Sequence, residues 1–191
     1  MAKRMLLAGI LGGIALFVWG GLSHTVLGLG ERGVQQLAQP GVTDAMKASI
    51  PQAGFYFFPP ADSSGKIRPE DTNGAWGMLI YHPSGATSGM GRQLTIEFVL
   101  NVIQALVAAF LLSLAPGLTG YVSRVGFVML AGLLAGAAMS IEYWTWYGFP
   151  TNYTVGFLAD RCIGFMILGM VVAAFIKPAT AIMQAVPAKA A

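Results

Sequence analysis

The sequence predicts an all-α membrane protein: a single domain over residues 1–191 with four transmembrane helices and a long extracytoplasmic loop between the first two. Three observations predict it. Hydrophobic residues make up 55% of the chain and charged ones only 10%, against about 25% charged in an ordinary soluble domain. Too few polar side chains remain to cover a globule in water. Four apolar runs each reach the roughly 20 residues needed to cross about 30 Å of hydrocarbon as a helix. The few ionisable residues inside those runs gather toward one side of the bilayer. A net charge of +3 is far too small for a nucleic-acid footprint. Cys162 is the only cysteine, so no intrachain disulfide forms, and no Cys/His spacing of a zinc site occurs.

The first span runs from about Met5 to Leu29, uncharged, with His24 as its most polar member. At about 25 residues it exceeds the 7–15 of a signal-peptide core, and no A-x-A-like site follows, so it reads as a retained span. The second, about Leu94 to Leu114, carries Glu97, Asn101 and Gln104. The third, about Val122 to Trp144, has Arg124 at its start and Glu142 at its end. The fourth, about Val155 to Ile176, contains Asp160 and Arg161.

Short regions set orientation, because loops of about 60 residues translocate largely regardless of charge. Residues 1–4, 115–124 and 177–191 contain Lys3, Arg4, Arg124, Lys177 and Lys189 and no acid. The short turn Thr145–Thr154 has no cation. Both termini are therefore expected in the cytoplasm, with the protein in the inner membrane.

The loop of residues 30–93 is too long for a bare connection and should fold on the membrane surface. Thr43 or Asp44 can cap a short helix through about Ser49, stopped by Pro51. Phe55–Phe58 and Ala75–Tyr81, separated by the polar stretch Asp62–Gly74, can pair as a two-stranded ribbon. Such a ribbon is marginal alone in water and should rest on the helices, the headgroups or another subunit. Pro83–Gly91 is a Gly/Ser-rich connector. Trp76, Tyr143, Trp144, Trp146 and Tyr147 read as interfacial aromatics, whose rings sit among acyl chains with polar edges toward water. A lipid-like or quinone-like ligand held by the same rings, or a partner surface, is the alternative.

Ionisable groups inside a bilayer cost several kcal/mol unless paired or hydrated. His24 and Glu142 lie near the outer boundary, Glu97 about 5 Å deep, and Asp160 and Arg161 about 8–9 Å deep, at about 1.5 Å per residue. Glu97, Asn101 and Gln104 share one helix face, spaced i, i+4, i+7, which must point into the bundle or toward a partner chain. On the third span Ala131, Ala135, Ala138 and Glu142 form one small-residue face, and Gly132, Gly136 and Ser140 its neighbour. Gly9 and Gly13, Gly20 and Gly21, and Gly164 and Gly169 complete a set suited to close helix contact, so a tight bundle is expected.

Three readings fit the polar set. In the first it is structural: Arg161 pairs with Glu97 or Glu142, and Asp160 finds its own partner or water. In the second it is a site open to the outer face, binding a headgroup, quinone or ion. In the third His24, Glu97, Glu142 and Asp160 ligate a metal, which the absence of a Glu-x-x-His pair disfavours. No Walker loop, G-x-G-x-x-G, G-x-S-x-G or H-E-x-x-H is present, and no inverted repeat is visible. The leading expectation is a non-catalytic accessory subunit of a larger membrane complex, in contact with lipids and with other subunits or a second copy. A lipid-, quinone- or ion-binding membrane protein is the rival, and a metal-dependent membrane enzyme stands third.

Overall fold

The computed structural model describes residues 2–83 and 89–177 of the chain; residues 84–88 of the connector, and Lys189, lie outside them. The elements are α1 (Ala2–Thr25), α2 (Pro40–Ser49), β1 (Gly54–Phe58), a 3₁₀ turn (Pro69–Asp71), β2 (Gly77–Tyr81), α3 (Met90–Ser113), α4 (Tyr121–Tyr147) and α5 (Thr151–Phe175). Helices α1, α3, α4 and α5 are long and apolar enough to cross a membrane. All four begin before their apolar runs, and for α3, α4 and α5 Gly89, Gly120 and Pro150 provide the non-helical residue at which each starts. Helix α1 stops at Thr25, short of the expected Leu29, and Gly28 then turns the chain at φ +60°. Gly148, at φ +69°, ends α4 in the left-handed conformation that glycine adopts without a Cβ clash.

Helix α2 begins earlier than expected. It starts at Pro40 with Gln39 before it, and no side chain caps it. Proline fits this first position because it brings the helical φ and no orphan N–H. Thr43 therefore does not cap, and its hydroxyl donates to the Pro40 carbonyl at 2.8 Å.

The four long helices alternate in direction, so the start of α1 and the end of α5 lie at one end, and the described residues 26–83 follow α1 at the other. Helix α1 packs on α3 and α5, α4 packs on α5, and α3 and α4 scarcely touch. The expected tight bundle is thus an open arc, ordered α3–α1–α5–α4. Residue size explains where it closes. A Cβ on Gly9 would overlap Leu106, and one on Gly13 would press on the Val102 backbone, so α1 and α3 meet closely. Gly132 lies against Phe165 and Gly136 against Arg161 along the α4–α5 seam, while Gly164 receives Trp19 of α1. Gly20 and Gly21 have no neighbour within 4 Å. Toward α4, by contrast, α3 presents Ile103, Val107 and Leu111. The core formed by the close seams includes Ala8, Leu16, Ala105, Ala109, Val128, Leu168 and Val172.

At the end opposite the loop, Arg124 is buried and donates from Nη1 to the Ile176 carbonyl at 3.2 Å, just past α5. A cation there offsets the partial negative charge of a helix C-terminus. Tyr121 adds a hydroxyl bond to the Met170 carbonyl at 2.8 Å.

At the loop end, β1 and β2 pair antiparallel, with Tyr56 opposite Leu79. At the tip of this ribbon Asp62 accepts from the Ser64 hydroxyl at 2.7 Å and the Lys66 N–H at 2.9 Å, and these bonds hold its carboxyl below the usual carboxylate range. Rings join the ribbon to the bundle. Phe55 meets Phe57, Phe57 meets Tyr147, and Tyr147 meets Tyr143, with centroids 4.8, 6.0 and 5.7 Å apart. Tyr143 stacks on Phe149 and Phe149 leans on Tyr153, at 5.2 and 5.4 Å. This ladder spans β1, the end of α4 and the start of α5.

Candidate functional site

Five of the seven polar residues singled out in the sequence line one small pocket toward the loop end, between α1, α3 and α5: His24, Glu97, Asn101, Asp160 and Arg161. Its volume is about 40 Å³. Asp160 is 7% exposed and Asn101 4%, so both stand inside the packed seam. Glu97, one turn nearer the loop end on α3, and His24 are exposed.

Asp160 is the centre of the network. Its Oδ1 accepts from Ser23, which is fully buried, at 2.5 Å. Its backbone carbonyl accepts from the Trp19 indole at 3.2 Å. Both donors lie on α1, four residues apart, so one face of α1 is bonded to one residue of α5. Arg161 approaches Asp160 Oδ2 through Nε at 4.0 Å. Its guanidinium lies over the Phe157 ring, 5.0 Å from the centroid, a cation–π arrangement. The Nε atom is buried and has no hydrogen-bond partner. His24 directs Nδ1 to the Gly20 carbonyl at 3.0 Å, and its ring fills the space that a side chain on Gly30 would need.

The expected pairing of Arg161 with Glu97 or Glu142 is therefore corrected. Arg161 leans on its own neighbour in sequence, and among the described residues Glu97 and Glu142 take part in no ion pair. Glu142 stands outside the pocket altogether. The buried face of α4 is Gly132, Gly136 and Ser140, and two residues beyond Ser140 is about 200° around the helix, which points Glu142 outward. The four-helix ligand set of His24, Glu97, Glu142 and Asp160 does not assemble. Among the described residues no three His, Cys, Asp or Glu side chains stand close enough to hold a metal ion.

Gln104 lies deeper along α3 and donates to Asn101 Oδ1 at 3.4 Å. It belongs to a second space, an apolar groove of about 300 Å³ between α3 and α4. Ile103, Val107 and Leu111 form one wall, and Phe127, Ala131 and Ala135 the other. Phe165 of α5 lines both this groove and the polar pocket. Pocket and groove thus adjoin, polar toward the loop end and apolar below, in one sequence of depth. The groove walls from Ile103 to Leu111 cover roughly 12 Å at about 1.5 Å per residue.

Three residues of the site escape sequence reasoning: Ser23, Trp19 and Phe165. Leu16, Trp19 and Ser23 share an i, i+3, i+7 spacing, a signal of one common face, but nothing in the sequence says which helix it meets. Three of the five aromatics singled out in the sequence, Trp76, Trp146 and Tyr147, line a third space of about 440 Å³ together with Phe57 and Met78. Trp144 stands apart from it and donates to Thr151 Oγ1 at 3.1 Å. No family profile, curated protein or solved structure matches the chain.

Proposed function

We propose that this multi-pass membrane protein binds an amphiphile, a lipid or a quinone, with the polar end against the exposed side of the Glu97–Asn101–Asp160–Arg161 pocket and the tail in the α3/α4 groove. The observation that carries the reading is the shared wall: Phe165 lines both spaces, and the Gln104–Asn101 bond joins their other side. A molecule of matching polarity lies at the depth it already occupies in a bilayer. The membrane we assign is the inner one, with both termini cytoplasmic, supported by Lys3, Arg4, Arg124 and Lys177 at one end of the bundle.

Native mass spectrometry of the full chain, extracted gently from membranes, tests this. The wild type is expected to retain one amphiphile. Ala135→Trp, which places a large ring in the groove from an exposed wall position, is expected to lose it at unchanged melting temperature. Retention of nothing by the wild type, or equal retention by both, overturns the reading.

The accessory-subunit role is a second reading, favoured by one observation. The ribbon is a lone antiparallel pair, joined to the bundle mainly by rings, and leaves Trp76, Ile80 and Trp146 65%, 72% and 76% exposed. Such a pair is marginally stable by itself, so a protein partner on that face would complete it. The same native spectra are expected to show an assembly larger than one chain; free monomer alone overturns this second reading.

A further inference from the structure

Resting on the amphiphile reading, we infer that the ligand is a phospholipid whose head carries a primary ammonium, a phosphoethanolamine type, with the phosphate at Arg161 and the ammonium at Glu97. The site offers one unsatisfied cation and one unsatisfied anion on facing helices. Arg161 is only partly neutralised, since Asp160 reaches it at 4.0 Å and has its other oxygen on Ser23. The Arg161 Nε has no hydrogen-bond partner among the described residues. Across the pocket Glu97 is a carboxylate in no ion pair among the described residues, and no cation stands beside it on α3 at that level.

A dipolar head leaves neither charge uncompensated. A glycerol head satisfies Arg161 through its phosphate but offers Glu97 only neutral hydroxyls, so the carboxylate's charge stays uncompensated. A choline head presents methyl groups where the carboxylate needs an N–H. A quinone ring offers only carbonyl acceptors and leaves Glu97 without a donor. A primary ammonium is compact and has three donors. Charge-assisted bonds of this kind are the stronger class of hydrogen bond, and more so away from water.

The test offers the purified full chain, in detergent, an equimolar mixture of phospholipids with identical acyl chains and ethanolamine, choline or glycerol heads, together with a long-tailed quinone. Native mass spectrometry reads what is retained. The wild type is expected to prefer the ethanolamine lipid about tenfold, equivalent to about 1.4 kcal/mol. Glu97→Gln, at an exposed position, is expected to erase the distinction between ethanolamine and choline while total lipid retention persists through the tail. Arg161→Lys is expected to keep phospholipid binding and Arg161→Ala to weaken it for all heads. Binding without head preference, or an unchanged preference in Glu97→Gln, overturns the inference and leaves the amphiphile reading standing. Preferential capture of the quinone does the same. No retained amphiphile of any kind overturns both.

Discussion

Gly13→Val is expected to force α1 away from α3 and lower stability by about 3 kcal/mol, the upper part of the range for overpacking a close seam. A Cβ at Gly13 would stand 2.7 Å from the Val102 Cα and 2.9 Å from its backbone nitrogen. Backbone cannot rotate out of the way as the end of a side chain can, so the helices themselves must move. Because α1 also supplies Trp19 and Ser23 to Asp160, the shift reaches the polar pocket. Gly20→Ala is the control, since nothing lies within 4 Å of that position. Thermal unfolding in detergent, followed by helical circular dichroism, is expected to show a large fall for Gly13→Val and none for Gly20→Ala. Equal melting of the two variants would remove the close α1–α3 contact from this account.

Asp160→Ala is expected to be comparably severe, at about 3 kcal/mol. Removing one member of a buried charged pair strands the other, at about 3–5 kcal/mol, and the lower figure applies because the Arg161 side chain is 35% exposed. Ser23 loses its acceptor in the same step, at a site where no water replaces it cheaply. Asp160→Asn keeps an oxygen for Ser23 and gives up the charge, so about half the loss is expected to return. Unfolding titrations in a denaturing detergent measure both. A pair of variants as stable as the wild type would show that Asp160 does not hold α1 to α5.

Depth along a helix is legible from sequence, and azimuth is not. Counting residues from the ends of the apolar runs puts His24, Glu97, Asp160 and Arg161 in the same half of the spans, and the structure has them around one pocket. Glu142 belongs to that same half and lies outside the pocket. Two adjacent faces of α4 looked equally suited to packing, one through Gly132, Gly136 and Ser140 and one through Ala131, Ala135, Ala138 and Glu142. Phe165 and Arg161 of α5 fit the glycine face, and that choice depends on side chains thirty residues away in sequence. The other face was left to Ala131 and Ala135 as the wall of a groove. The ribbon was legible because Phe55–Phe58 and Gly77–Tyr81 are strand-forming runs bounded by Pro and Gly. The start of α2 was not, because Pro40 needs no capping side chain to begin a helix.

The gap between α3 and α4 faces sideways. Whatever occupies it arrives by two-dimensional diffusion among its neighbours and never crosses an aqueous phase. Occupancy is then governed by the mole fraction of that compound in the surrounding leaflet, so even weak intrinsic attraction suffices to keep the cleft filled when the compound is abundant. On the proposed reading, the state of the protein follows the composition of the sheet in which it is embedded.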